Sequence, residues 1–200
     1  MENLINRAKN IILQPKATWE EIKNEDTTIQ GLLVSYVLPL ALISAIAAFI
    51  GFGFIGSNIP FAGRVHSIEW GINQAVTSFV SVMLGIILSG WVISWLAPKF
   101  ETTLNLTEAV KLVAYSYTPA MLGGIFNIIP SLAVLGIITG MYSLYLLYLG
   151  FGPITKVSTE KITAYYFVSL LVIIGVYIVL GLAIGAILVT VGFAGFSGLR

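Results

Sequence analysis

Tyrosines are the residues of this sequence whose type and spacing point most directly to a chemical role. Tyr142, Tyr145 and Tyr148 are three residues apart, so on a helix they share a slowly drifting face. Tyr115 and Tyr117 occur in the preceding apolar segment. A phenol donates and accepts hydrogen bonds but performs no acid–base chemistry at neutral pH. The pattern therefore predicts holding or anchoring rather than catalysis.

Two roles are open for these tyrosines. The first is anchoring at the membrane surface, with hydroxyl groups that bond the backbone freed by Pro119. The second is a groove between the third and fourth predicted spans that accepts a lipid or an acyl chain. Cationic side chains at its mouth would then bind an anionic headgroup. The candidates for that mouth are Lys111, Lys156 and Lys161.

Candidate catalytic and metal-binding groups are few. The sequence has no Cys and a single His, which excludes thiolate nucleophiles and Cys-based metal sites. A Gly-x-Ser-Gly pattern surrounds Ser197, but this serine lies outside any predicted span and His66 lies in a predicted loop. We therefore predict no enzyme activity, no metal and no cofactor.

Charge is scarce in this sequence. Hydrophobic residues make up 58% of it and charged residues 10%, against about a quarter charged in soluble domains, so an integral membrane protein is indicated. The net charge of +1 argues against nucleic acid as a partner. Residues 71–98, 112–155 and 162–199 contain no ionisable acid, base or histidine, which argues against proton-coupled transport. Movement of a lipid or a small uncharged solute remains as the alternative function.

Hydropathy predicts an all-α membrane protein with five transmembrane helices. Its predicted spans are residues 31–54, 72–96, 110–129, 132–149 and 164–191. Only Pro130 and Ser131 separate the third and fourth spans, so these should form an antiparallel hairpin. We divide the chain into an N-terminal region (1–30), a five-span domain (31–191) and a short outer tail (192–200).

One or two interfacial amphipathic helices are predicted ahead of the first span. Apolar residues at helical spacing from Leu4 to Ile12 face away from a polar side that includes Arg7. Thr18 and Glu21 form a capping-box pattern for a second helix, whose Trp19 should face the membrane surface.

The distribution of basic residues predicts a cytoplasmic N-terminus and an outer C-terminus. The predicted inner segments contain eight Lys and Arg residues, and the outer ones contain only Arg64 and Arg200. No cleavable signal peptide is recognised. For a prokaryotic protein this topology indicates a multi-pass protein of the plasma membrane.

Small residues at four-residue spacing predict close helix contacts. The candidates are Ser81 and Gly85 in the second span, Gly136 and Gly140 in the fourth, and Gly181 and Gly185 in the fifth. They would pack within one chain or between copies, so self-association or contact with other membrane proteins stays open.

Several of these residues also resemble a known family. They are Pro15, Trp19 and Ile22, the run AYSYTP at 114–119, Ile129 with Pro130, the run YSLYLLYLG at 142–150, and then Lys161, Ala164 and Tyr165. Together they resemble the Yip (Ypt-interacting protein) domain family of five-span membrane proteins, in its prokaryotic branch. The resemblance implies a non-enzymatic protein that organises membrane or binds a partner protein or lipid. Eukaryotic members bind Rab-type GTPases, but the short N-terminal region here argues against GTPase binding.

Overall fold

The structure is a computed structural model that describes residues 4–59 and 63–197. Its architecture is all-α apart from one short hairpin. Four helical segments are long and apolar enough to cross a membrane: Ile29–Ile55, Ile68–Phe100, Leu135–Thr155 and Thr159–Ala183.

The first apolar segment is helical throughout but changes its winding twice. It consists of α3 (Ile29–Leu32), a π-helical turn (Leu33–Val37), α4 (Leu38–Ile50) and a second π-helical turn (Gly51–Ile55). The first π turn directly precedes Pro39, which has no N–H and whose ring would clash with a carbonyl one turn earlier. Widening the turn, with the Leu38 N–H bonded to the Leu33 carbonyl, accommodates the proline without ending the helix.

The central helix of the bundle follows a small antiparallel hairpin. Strands β1 (Ser57–Ile59) and β2 (Gly63–Val65) pair in the register Ser57 to Val65. Helix α5 (Ile68–Leu96) then begins at a cap in which the Ser67 hydroxyl accepts from the Trp70 N–H at 3.0 Å. It packs against α4, against the next helix of the chain and against the last one.

The predicted third span is a kinked helical path rather than one helix. It consists of α6 (Leu106–Ser116), α7 (Thr118–Gly123) and a 3₁₀ turn (Gly124–Ile128). Helical bonds continue through the kink, since the Tyr117 N–H reaches the Val113 carbonyl and the Met121 N–H reaches the Tyr117 carbonyl. The kink arises because Pro119 supplies no N–H to the preceding turn.

The last two helices differ from their predicted bounds. A further 3₁₀ turn (Pro130–Leu132) delays the start of α8, which runs over Leu135–Thr155 and ends at Lys156 in the left-handed conformation. Helix α9 (Thr159–Ser197) extends into the predicted tail.

The N-terminal helices pack on the bundle itself. Helices α1 (Leu4–Leu13) and α2 (Pro15–Ile22) lie against α6, α7 and α8. The predicted exposure of Trp19 at the membrane surface is wrong, because its side chain is fully buried within the protein. The predicted cap at Thr18 is also wrong: Pro15 starts the helix, which places Thr18 inside it with its hydroxyl donating to the Gln14 carbonyl at 2.9 Å.

Candidate functional site

The structure places the five predicted site tyrosines in two groups. Tyr115 is buried, with its ring centroid 4.7 Å from that of Tyr36, and Tyr117 is partly buried beside Tyr177 of α9. Tyr145 and Tyr148 instead lie on the outer surface of α8, with 47% and 41% of their areas exposed. The two groups therefore lie in different surroundings, one inside the bundle and one on its surface.

Tyr142 lies at the edge between these groups. Its ring contacts that of Tyr145, with centroids 5.8 Å apart, and its hydroxyl donates to the Ile12 carbonyl at 2.6 Å. This bond fixes the end of α1 to α8. We call Tyr142, Tyr145 and Tyr148 the tyrosine strip.

Hydroxyl groups form hydrogen bonds with the backbone at the buried Pro119 kink, where the regular helical bonds are interrupted. Pro119 cannot bond the Tyr115 carbonyl, and the Thr118 Oγ1 donates to that carbonyl instead, at 2.7 Å. Because a hydroxyl has one proton, the Tyr36 hydroxyl is the donor in its own 2.7 Å bond to Thr118 Oγ1. The tyrosines were expected to bond this backbone directly, but a threonine does so and a tyrosine supports it.

Two serines from neighbouring helices complete the kink. The Ser143 Oγ of α8 accepts from the Ala120 N–H at 3.0 Å, and the Ser44 Oγ of α4 donates to the Met121 carbonyl at 2.5 Å. Irregular backbone is tolerated at membrane depth where the surrounding protein pairs its polar groups in this way. The kink is therefore held by two other helical segments, the first apolar segment and α8.

The candidate lysines do not form one cationic mouth. Lys111 is buried, and its Nζ donates to the Glu25 carbonyl at 2.9 Å. Lys161 forms an ion pair with Glu101 at 2.5 Å, and Lys156 is exposed near the same carboxylate, at a shallow depression. Because Lys161 donates a hydrogen bond to the Glu101 carboxylate and lies close to it, the pKa of that carboxyl is lowered.

The candidate small residues lie in contrasting surroundings. A Cβ added at Gly85 would come within 2.3 Å of the Tyr177 hydroxyl, so this glycine admits α9 close to α5. Ser81 is partly buried on α5. Among the residues that the structure describes, Gly136, Gly140 and Gly181 have no neighbour within 4 Å of an added Cβ. Gly185 lies outside the residues whose surroundings the structure describes.

A polar cavity at the N-terminal helices was missed by the sequence analysis. Its volume is about 580 Å³, and its walls come from α1, from the segment before the first apolar helix, from the first two turns of that helix and from α6. Arg7, placed on the solvent face by the sequence, is 8% exposed and pairs with Glu25 and, at 3.4 Å, with Glu21. Its guanidinium carbon also lies 6.0 Å from the centre of the Tyr115 ring.

One signal in the sequence could have revealed this burial. Arg7 lies three residues after Leu4 and four before Ile11, so the three share a helix face. Two carboxylates, Glu21 and Glu25, follow four residues apart in the next segment. An arginine on an apolar face near paired acids is typical of a buried ion pair.

Comparison with known proteins identifies the family. The model of the Yip1 domain matches residues 9–183. The inner membrane protein YohC of Escherichia coli K12 is 30% identical over 152 residues, which cover 74% of this chain and 77% of YohC; the protein of the same name from strain O6:H1 (CFT073) matches equally. No solved structure matches. With its long apolar helices, the chain is a multi-pass membrane protein, and it belongs to the Yip1 domain family.

Proposed function

We propose that this protein is a non-enzymatic, five-span membrane protein that holds a lipid or a partner protein at the tyrosine strip of α8. One observation carries the proposal. Tyr145 and Tyr148 expose 47% and 41% of their areas on an uncharged helix whose neighbouring outward side chains are aliphatic. Amphipathic rings exposed in this way offer both an apolar surface and a hydrogen-bonding group to a membrane ligand.

The count of five spans is supported by the length of the kinked third segment. Helices α6 and α7 contain 11 and 6 residues and are joined by Tyr117. At about 1.5 Å per residue they extend about 27 Å, and the 3₁₀ turn adds about 10 Å. The path exceeds the roughly 30 Å of the hydrocarbon core, so it is long enough to cross the bilayer.

The proposed membrane and orientation follow from charge and relationship. The Escherichia coli relative is named as an inner membrane protein, and the same kind of membrane is proposed for this chain. Arg7, Lys111, Lys156 and Lys161 lie at the end of the bundle that carries α1 and α2, and the excess of basic residues makes that end the cytoplasmic one.

The strip is tested by lipid and partner retention. In Tyr145→Ala, we expect the purified protein to retain several-fold less co-purifying lipid or cross-linked partner than the unaltered protein. Ile138→Ala is the matched control, since Ile138 is 65% exposed and lies two turns earlier on the same helix. Native mass spectrometry and in-membrane cross-linking provide the measurements. Equal retention by both variants would refute a binding role and leave the tyrosines as anchors.

A second candidate, movement of a lipid or a small uncharged solute, is favoured by the kink at Pro119. Discontinuous helices are a common feature of transporter binding sites. Flux into liposomes above the protein-free rate, reduced in Pro119→Ala, would support this function. A flux equal to that of empty vesicles across a panel of lipids and neutral solutes would exclude it.

A further inference from the structure

The polar cavity beside α1 has walls of mixed character. Two aromatic rings, Tyr36 and Tyr115, form one side of it. Glu25, Asp26 and the hydroxyl-bearing Thr27 and Ser35 form much of the rest. At about 580 Å³ the cavity has the size of ordinary small-ligand sites, which range over about 300–1,000 Å³.

Charge in the wall favours a cation. Arg7 is the cationic group of the lining, and Glu25 and Glu21 neutralise it. Asp26 is exposed and, among the residues that the structure describes, takes part in no ion pair. Lys111 lies behind the wall, where its Nζ donates to the Glu25 carbonyl and its charge also acts on Asp26. Within the described part of the chain, the lining therefore contains two carboxylates, Glu25 and Asp26, and one cation, Arg7.

The polar atoms of the wall are mainly acceptors. The Ser35 Oγ donates its proton to the Gly31 carbonyl at 2.6 Å, which leaves its lone pairs available. The carboxylate of Asp26 has only acceptor sites. A group with several N–H donors and a positive charge complements this set of atoms.

The depth of the cavity indicates where such a group comes from. The first apolar segment contains 27 residues and is about 40 Å long, which exceeds the roughly 30 Å hydrocarbon core. Its first turn, which begins at Ile29 and includes Gly31 of the lining, therefore lies at the level of lipid headgroups. Val34, one turn further, is 57% exposed and offers an apolar surface along which an acyl chain can lie.

We propose that this cavity binds a primary ammonium group, with Asp26 as its counter-charge and the ethanolamine headgroup of a phospholipid as its source. Three N–H donors of the ammonium fit the acceptors of the wall. A choline headgroup carries the same charge but has no N–H, so it should bind less well. This site is separate from the tyrosine strip and goes beyond the function proposed above.

The experiment uses the full chain reconstituted in nanodiscs. One set contains phosphatidylethanolamine with phosphatidylglycerol, and the other contains phosphatidylcholine with phosphatidylglycerol. Native mass spectrometry of the released protein counts the lipids retained per protein in each set. The ratio of retained ethanolamine lipid in the first set to retained choline lipid in the second is the quantity compared between variants. Calorimetry with free ethanolamine, in the choline nanodiscs, tests a soluble amine as the source.

Asp26→Asn preserves side-chain shape and removes the charge, so we expect it to lower the retained lipid ratio at least tenfold. Ser35→Leu, which fills the cavity, should lower the ratio similarly. The matched control is Glu160→Gln, because Glu160 is an exposed acid at the start of α9 and outside the lining. Tyr145→Ala should also leave the ratio unchanged, which separates this site from the tyrosine strip.

Each outcome decides the proposal. A preference for ethanolamine lipid that Asp26→Asn removes supports a lipid source, and binding of free ethanolamine that the same variant removes supports a soluble one. Absence of both, or a preference that Asp26→Asn and Ser35→Leu leave intact, overturns the proposal.

Discussion

The two faces of α8 contain the same kinds of residue in opposite surroundings. On the inner face a Cβ added at Gly150 would come within 2.6 Å of Leu112 and Trp19, whereas Gly140 on the outer face has no neighbour within 4 Å. Tyr142 bonds the backbone of α1, whereas Tyr145 is 47% exposed. Residue type alone therefore does not decide which positions of this helix hold the fold together.

The contrast between the two faces of α8 shows how the N-terminal helices are attached to the bundle. Gly150 gives Trp19 room to reach the bundle, and the fully buried Trp19 ring lies edge-on to Tyr115 at 6.5 Å. Tyr142 fixes the same pair of helices near their junction, at the Ile12 carbonyl. The inner face of α8 is thus a docking platform, while its outer face remains available to the membrane.

Gly150→Leu should have the largest effect. The new side chain has no space, so it must displace the Trp19 ring and with it α2. Overpacking costs about 1–3 kcal/mol, and loss of a buried Trp about 3–5 kcal/mol, so we expect a loss of unfolding free energy of at least about 3 kcal/mol. Denaturation in mixed detergent micelles provides the measurement, and hydrogen exchange over residues 4–22 should show undocking.

Gly140→Leu is the control for this change. It adds the same side chain to the same helix at a position with open space around it. The unfolding free energy and the exchange of residues 4–22 should match those of the unaltered protein. Equal losses in the two variants would mean that adding a leucine side chain anywhere on α8, rather than the loss of docking, determines the effect.

Ser143→Ala should have the second largest effect. It removes the acceptor of the Ala120 N–H at the kink and leaves that group unpaired within the protein. An unsatisfied buried donor costs about 1–3 kcal/mol, which the same denaturation measurement resolves. The control is Ser35→Ala, whose lost bond is a local one to a carbonyl in its own helix. A cost at Ser35 as large as that at Ser143 would contradict the importance of the kink.

Tyr142→Phe should have a smaller effect of the same kind. It removes the 2.6 Å bond to the Ile12 carbonyl and retains the ring, so we expect a loss of about 0.5–1.5 kcal/mol. Amide hydrogen exchange at the C-terminal end of α1 should become faster by the factor that this loss of free energy implies. Tyr145→Phe should leave both quantities unchanged, and a similar loss there would show that the exposed phenol also has a structural partner.

Hydropathy predicted the four long apolar helices, because transfer of an apolar side chain out of water is favourable whether lipid or protein receives it. For the same reason it could not decide which of the two receives each side chain. Trp19 was expected at the membrane surface and is buried in protein, and Arg7 was expected in water and is buried with its acids. Such choices depend on contacts between residues distant in the sequence.

The tyrosines show the same limit at the candidate site. Their spacing correctly groups Tyr142, Tyr145 and Tyr148 on one helix, but whether Tyr115 joins them depends on how α6 packs against α8. The kink was foreseeable from Pro119, whereas the hydroxyl partners Tyr36, Ser44 and Ser143 come from helices that no local pattern connects. Sequence therefore indicated that Pro119 leaves a backbone carbonyl unpaired, and not which side chains bond the backbone there.

The ion pair of Glu101 and Lys161 lies beyond the end of α8. Its loss should change the stability of the protein less than any of the substitutions above. Unlike the buried Arg7 pair, it is solvent-exposed, with 79% of the Glu101 side chain accessible, so water and salt screen it. Lys161 lowers the pKa of Glu101 in the folded state, so the contribution of the pair is present above the ordinary carboxyl pKa and disappears as the pH falls through the lowered one. Glu101→Gln should therefore melt slightly below the unaltered protein at pH 7 and equally at acidic pH, as measured by paired thermal scans. If the difference grew on acidification, the folded state would instead favour the protonated carboxyl, which is the opposite of what a carboxylate bonded to an ammonium predicts.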